Sequence, residues 1–142
     1  MRKYLFFLPL FIIFYSCTTG VKVKENNSSS FLHDGNSKVW MISEIAKNDF
    51  DYSDKSELKD LFIFYANGEC VLQSKKEFSM NIGELGSYEI SNFGKSMHID
   101  FENDKWEFTI NKSPSGELRL MPTKNSDFDY SLTLIPFPQL IK

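Results

Sequence analysis

Four aspartates in a repeated local sequence are the residues of this chain best suited to bind a cation. The sequence DFDYS occurs at Asp49–Ser53 and again at Asp127–Ser131. The repeat supplies Asp49, Asp51, Asp127 and Asp129. Because Ca²⁺ is bound by roughly six to eight oxygen atoms, a cluster of carboxylates could hold it. The interpretation we favour instead is that both segments are polar loops, anchored by their Phe and Tyr side chains, with solvated aspartates.

The first repeat also matches part of an EF-hand loop. In DFDYSDKSELKD, Asp49, Asp51, Ser53 and Asp60 occupy loop positions that bind calcium. However, Asp54 stands where that loop needs glycine, and an aspartate ends the loop where a glutamate is usual. The sequence therefore does not predict an EF-hand.

Residues for other kinds of site are scarce. The chain has two histidines, His33 and His98, too few for a histidine-based metal site or a convincing Ser-His-Asp triad. His33 lies in a polar stretch, where we expect it to be solvated. His98 and Asp100 share one strand face and are interpreted as a surface pair. We therefore expect neither an enzyme nor a bound cofactor.

The N-terminus carries a different chemical signal, centred on Cys17. Basic Arg2 and Lys3 precede an apolar run from Tyr4 to Tyr15, which has the length of a signal-peptide core and is too short to span a bilayer. The following sequence FYSC resembles a bacterial lipobox. That resemblance implies that residues 1–16 are a lipoprotein signal peptide and that Cys17 becomes the lipidated first residue.

The lipid would attach the protein to the bacterial cell envelope, and the outer membrane is the expected site. The sequence does not decide between its periplasmic face and its surface face. The alternative is ordinary signal cleavage after Thr18 or Gly20, which would release a soluble protein. If Cys17 carries lipid, Cys70 has no partner, and we expect it to be buried without a disulfide. The polar residues 17–37 are then a lipidated cysteine and a flexible tether. Residues 38–142 form the folded domain with a C-terminal tail.

The folded domain is predicted to be all-β. Short apolar or alternating runs, separated by turn residues, are typical of a sandwich or barrel. Eight strands are predicted: Lys38–Ala46, Leu61–Ala66, Glu69–Lys75, Leu85–Ser91, Ser96–Phe101, Lys105–Lys112, Glu117–Met121 and Tyr130–Ile135. Asn67-Gly68 has the composition of a two-residue hairpin turn. The sequence DKSE at 54–57 resembles a helix cap. Short connections between antiparallel strands favour an up-and-down meander that closes into a barrel.

The alternation of apolar residues predicts which side chains face the interior. In the later strands Met97, Ile99 and Phe101 alternate with polar residues, and so do Trp106, Phe108 and Ile110. If Phe101 pairs with Trp106, the two apolar sets fall on the same face of the sheet. The predicted inward set is Trp40, Ile42, Leu61, Ile63, Tyr65, Cys70, Leu72, Tyr88, Ile90, Met97, Ile99, Phe101, Trp106, Phe108, Ile110, Leu118, Leu120, Tyr130, Leu132 and Leu134. This set contains no charge, so an interior ligand would be small and apolar, although a side-chain-filled interior is the favoured interpretation.

These segments resemble the small lipocalin-like domains of many bacterial lipoproteins. The resemblance covers Val39 to Ile135 and rests on Trp40, LFIFYANGEC, GSYEIS, SMHIDF, WEFTI and LRLMP. It implies a small eight-stranded lipocalin-like barrel and no particular activity. In such a barrel the first and last strands are neighbours, so both DFDYS segments should meet at one rim.

Two function classes remain open. One is a non-catalytic module that binds a small apolar ligand or a protein. The other is an accessory structural subunit of an envelope complex, such as a secretion or surface machine. Phe62, Phe64 and Val71 are predicted to form an outer apolar patch, covered either by the tail IPFPQLIK through Phe137, Leu140 and Ile141 or by an envelope protein. The net charge of −3 and the lack of a basic stripe argue against nucleic acid.

Overall fold

Antiparallel strands joined by short connections form one continuous sheet. The computed structural model describes residues 27–48, 50–53 and 60–138. Its strands are β1 (Ser37–Lys47), β2 (Phe50–Asp51), β3 (Leu61–Tyr65), β4 (Glu69–Gln73), β5 (Glu84–Ser91), β6 (Ser96–Asp100), β7 (Lys105–Lys112), β8 (Leu118–Pro122) and β9 (Ser131–Pro136). Two short helices, α1 (Ser30–His33) and α2 (Lys75–Met80), accompany them.

The sheet closes because β1 pairs with β9 as well as with β3. The closed barrel contains β1 and β3 to β9, and the short β2 only extends the end of β1. The predicted eight-stranded up-and-down barrel is therefore confirmed, and β2 and α2 are additions to it. The predicted helical turn at DKSE lies outside the described residues.

The hairpin between β3 and β4 corrects one part of the prediction. Phe64 pairs with Cys70, and the amide of Gly68 donates to the carbonyl of Tyr65 at 3.1 Å. The loop therefore has three residues, and in it only Gly68 has a positive φ, at 89°. The two-residue turn predicted at Asn67-Gly68 is wrong.

This shift of one residue reverses which face each β3 side chain occupies. Phe62 and Phe64 point into the barrel and belong to the core, whereas Leu61 and Ile63 lie on the outer face and are nevertheless buried. The predicted inward positions of Leu61, Ile63 and Tyr65 are wrong. So is the predicted outer patch of Phe62 and Phe64.

A second correction concerns β1, whose pairing with β9 shifts between Ile42 and Glu44. The extra residue is Ser43, and its hydroxyl donates to the carbonyl of Thr133 at 3.1 Å. Such a β-bulge changes the side-chain alternation. Ile45 is therefore buried in the core, which strict alternation from Trp40 does not predict.

An error of two residues in a predicted strand register does not reverse the side-chain faces. Phe101 was expected opposite Trp106, but Ile99 takes that place. A shift of two residues keeps every side chain on its face. Phe101 and Trp106 therefore still enter the core, with their ring centroids 4.8 Å apart. Trp40, Cys70, Tyr88 and Met97 are also buried as predicted.

The two ends of the barrel are covered differently. We call the end at which β1 begins the plug end and the end at which β1 finishes and β9 begins the rim. At the plug end, α1 packs against β1 and β3. Leu32 is fully buried in the core, and its carbonyl accepts a 2.9 Å hydrogen bond from the indole nitrogen of Trp40.

Candidate functional site

The two DFDYS segments lie on opposite sides of the last residues of β1. Ala46 pairs with Asp51 of β2 on one side and with Ser131 of β9 on the other. The amide of Tyr52 donates to the carbonyl of Ile45 at 2.7 Å, and the hydroxyl of Ser131 donates to the carbonyl of Ala46 at 3.1 Å. The prediction that the repeats meet at one rim is confirmed.

Aromatic side chains of the repeats cover the core at this rim. The equivalent tyrosines, Tyr52 and Tyr130, contact each other edge to face, with centroids 5.4 Å apart. Phe128 stacks on Trp106 with a centroid separation of 4.2 Å. Phe50, the counterpart of Phe128, is instead 69% exposed. The repeat is thus used asymmetrically: three of its four aromatic residues pack against the core.

The three described rim carboxylates each have a different partner. Asp129 forms an ion pair with Lys47, and this hydrogen bond raises the pKa of Lys47. Asp127 accepts a 2.8 Å hydrogen bond from the amide of Lys105. Hydrogen bonds from the hydroxyl and the amide of Ser53 lower the pKa of Asp51.

Asp49 lies outside the described residues. Across the ranges that are described, no group of three or more His, Cys, Asp or Glu side chains is placed to hold a metal ion. The described aspartates therefore act in local hydrogen bonding and ion pairing, and the calcium interpretation gains no support.

His33 contradicts the expectation of a solvated tether. It is 8% exposed. Its Nδ1 accepts a 3.0 Å hydrogen bond from the amide of Gly35, and its Nε2 lies 3.3 Å from the hydroxyl of the buried Ser29. With Nδ1 an acceptor, the proton of the neutral ring is on Nε2, which donates to Ser29.

Folded structure therefore begins well before the predicted boundary at residue 38. A 3-10 turn at Asn27–Ser29 leads directly into α1. Cys17 and the remainder of the proposed tether up to residue 26 lie outside the described residues, so lipidation stays a prediction.

Large side chains in mutual contact occupy the interior. Phe62 stacks on Phe64 at 5.2 Å, Phe64 contacts Tyr88, and Trp106 contacts both Phe62 and Phe108. The hydroxyl of Tyr88 donates to the carbonyl of Tyr65 at 2.7 Å. Burial raises the pKa of Cys70 to about 12, with a smaller contribution from the charge of Glu84. That thiol is consequently a packing group, since it would react as a thiolate.

The outer face carries a small polar group around His98. Its Nε2 lies 3.4 Å from Asp100 and its Nδ1 lies 3.5 Å from Glu107. All three side chains are partly solvent-exposed. The two ring nitrogens face different carboxylates across the sheet surface, which agrees with the predicted surface pair.

The most distinctive surface is apolar and belongs to α2, the segment after it and the start of β5; it is here called the α2–β5 face. It consists of Phe78, Met80, Ile82 and Leu85, all exposed, with Leu85 reaching 64%. This face was not predicted from the sequence. Its signal was the alternation of Phe78, Met80 and Ile82 in a stretch interpreted only as a loop.

The helix that carries this face is fixed at both ends. Ser74 and Glu77 form a reciprocal capping box, with the hydroxyl of Ser74 3.2 Å from the amide of Glu77, and Asn81 ends the helix in a left-handed conformation with φ of 55°. Capping of this kind stabilises short helices. The exposed side chains of Phe78 and Met80 are thus held on a capped helix.

One part of the C-terminal tail reaches this side of the barrel. Phe137 continues the pairing of β9 by donating from its amide to the carbonyl of Val39 at 2.9 Å, and its ring centroid lies 6.1 Å from that of Phe78. Leu140 and Ile141, the other predicted anchors, lie outside the described residues. Within the described part of the tail, Phe137 contacts the edge of the α2–β5 face and leaves its larger part exposed.

Comparison with models of known protein families, with curated proteins and with solved structures gives no match to this chain. Of the helices in the described ranges, none has the length and apolar character needed to cross a bilayer.

Proposed function

We propose that the protein is a lipocalin-like lipoprotein, anchored through Cys17 to the outer membrane of the bacterial envelope, and that it serves there as a non-catalytic accessory subunit. The single observation that carries the subunit role is the α2–β5 face. Four large apolar side chains stand exposed on the capped helix, the segment that follows it and the start of the next strand. Exposed apolar patches on soluble domains commonly mark protein interfaces.

The interior supports this function over a small-ligand carrier. A carrier needs space inside the barrel and an entrance to it. Here the core is packed with aromatic rings, Leu32 covers the plug end, and Phe128 and Tyr130 pack across the rim. A barrel filled in this way favours recognition through its outside.

The anchor can be tested by metabolic labelling with a clickable fatty-acid analogue in a bacterial host. We expect label on the wild type and on Cys70→Ser, and no label on Cys17→Ser. The matched Cys70 variant controls for a general effect of removing a thiol. Equal labelling of the Cys17 variant would refute lipidation at that residue.

The docking face can be tested by site-specific photocrosslinking in intact cells. A photoreactive amino acid at Ile82 or Leu85 should give a discrete adduct of one additional protein, whereas the same probe at the exposed Glu89 or Arg119 should give none. Adducts of equal yield at all four positions would contradict a specific face. Saturable binding of an apolar fluorescent probe that displaces no partner would instead favour the ligand-binding function.

A further inference from the structure

The turn between β5 and β6 presents an aromatic side chain that no folding requirement explains. Phe93 is 97% exposed, and its backbone is left-handed, with φ of 56° and ψ of 38°. Asn92 and Gly94 on either side also have positive φ. This conformation is unfavourable for a bulky residue. The chain therefore holds a strained aromatic ring in water, which points to a role outside the folded core.

The chain enters the barrel directly beside this turn. A β-carbon placed on Gly94 would lie 3.4 Å from the carbonyl oxygen of Ser28. From Ser28 back to Cys17 there are eleven peptide steps, a reach of about 18 Å for a flexible segment and about 40 Å when fully extended. A lipid on Cys17 would consequently hold the plug end, and Phe93 with it, close to the bilayer.

The charge around Phe93 suits a phospholipid surface. Lys95 and Lys112 line a shallow groove of about 440 Å³ next to the ring, together with Gly94, Thr109, Ile110 and Asn111. This lining contains two lysines and no acidic side chain. At the plug end Asp34 forms an ion pair with Lys38 at 3.0 Å, and Glu117 lines a second groove together with Lys112 and Arg119. Lysines beside an exposed aromatic ring are the usual partners of anionic headgroups at a membrane interface.

We propose that the plug end docks on the anionic surface of the anchoring membrane, with Phe93 inserted at the headgroup level and Lys95 and Lys112 on lipid phosphates. This inference rests on the proposed lipid anchor at Cys17. The tether keeps the local concentration of membrane high, so a single ring and two lysines are sufficient for contact. The α2–β5 face, on the side of the barrel, stays free for a protein partner.

The test uses the full lipidated protein in vesicles of phosphatidylethanolamine and phosphatidylglycerol that contain brominated lipid. In Phe93→Trp we expect the added fluorescence to shift to shorter wavelength and to be quenched by bromine. In Asn103→Trp, at the rim, we expect neither change. The native Trp40 and Trp106 are buried, so wild-type protein supplies a constant background.

A second pair of variants tests the charge. In the Phe93→Trp protein, Lys95→Gln should reduce the quenching, and Lys124→Gln at the rim should leave it unchanged. Protein that floats with the vesicles but shows equal quenching at positions 93 and 103 would overturn the docking proposal alone. Protein that fails to float would refute the lipid anchor and, with it, the basis of the docking.

Discussion

The plug end and the rim each cover the core at one end of the barrel, but they do so with different parts of the chain. At the plug end a continuous segment directly before β1 supplies the cover, through Leu32 and the hydrogen-bonded His33. At the rim the cover consists of single side chains from two segments far apart in sequence, Tyr52 and the pair Phe128 and Tyr130. One cover is local, and the other exists only after the last strand has paired with the first.

This difference predicts how the stability of the protein responds to substitutions at each end. Local contacts form at low entropic cost, whereas the rim contacts require a long loop to be closed first. The surfaces differ as well. The rim places its described aspartates in local pairs with Lys47, Lys105 and Ser53, whereas the plug end exposes Phe93 beside Lys95 and Lys112, and the ammonium of Lys112 lies 3.4 Å from the centroid of the Phe31 ring.

The largest effect is expected from Leu32→Ala at the plug end. Leu32 is fully buried, so the change removes core contacts and leaves a cavity, at a cost of about 3 kcal/mol in the free energy of unfolding. Chemical denaturation followed by circular dichroism measures this loss. The volume-conserving Leu32→Met should cost less than about 1.5 kcal/mol. A loss of under about 1 kcal/mol for the alanine variant would mean that α1 contributes little to the stability of the core.

The rim offers a matched comparison between the two repeats. Phe128→Ala removes a ring stacked on Trp106 at 4.2 Å, and because that ring is only half-buried we expect a loss of about 2 kcal/mol. Phe50→Ala changes the equivalent residue of the other repeat, which is mostly exposed, and should leave stability almost unchanged. Equal losses would contradict the asymmetric use of the repeat.

The sequence was sufficient to predict the strands because their alternation is local and clear. In β6 and β7 each apolar residue is followed by a polar one, so the inner face is unambiguous. The meeting of the repeats followed from topology alone, since closing an up-and-down barrel brings its first and last strands together.

The errors have equally specific causes. In LFIFY of β3 both faces are apolar, so alternation carries no information, and the sequence ANGE suits a three-residue loop as well as a two-residue one. The bulge at Ser43 depends on pairing with a strand 90 residues away, and nothing in the local sequence signals it. α1 spans only Ser30–His33, which is too short for a helical period, so its buried Leu32 and His33 could not be inferred.

The third effect in expected size, after those of Leu32→Ala and Phe128→Ala, is a decline of stability at alkaline pH. It originates in Cys70, near the hairpin at the plug end. Burial raises the folded pKa of this thiol from 9.0 to about 12. Between these values the unfolded chain loses the proton while the folded chain keeps it. Stability therefore falls as pH rises above about 9.

Between about pH 8 and about pH 10 this single group should remove about 1.4 kcal/mol from the free energy of unfolding. Cys70→Ala lacks the thiol. It should be less stable than wild type at neutral pH, and the difference should shrink by that amount over the same interval. Denaturation curves at the two pH values supply the measurement. A constant difference would show that the thiol is more accessible than its burial indicates.

The smallest effect is a gain, and it separates the exposed part of the plug end from its packed part. Phe93 adopts a left-handed backbone while 97% exposed, so it contributes strain and almost no packing. Asparagine tolerates that conformation better than other non-glycine residues. Phe93→Asn should therefore raise the free energy of unfolding by about 0.5 kcal/mol, measured as a higher thermal midpoint. Phe93→Ala, which keeps the strain, should bring no such gain.

If the asparagine variant were instead less stable than wild type, Phe93 would have to make folding contacts, and its exposure could no longer be assigned to the membrane. A gain in stability accompanied by weaker contact with anionic vesicles would show that the chain keeps a strained residue for binding, in a barrel whose opposite end uses its aromatic residues for folding.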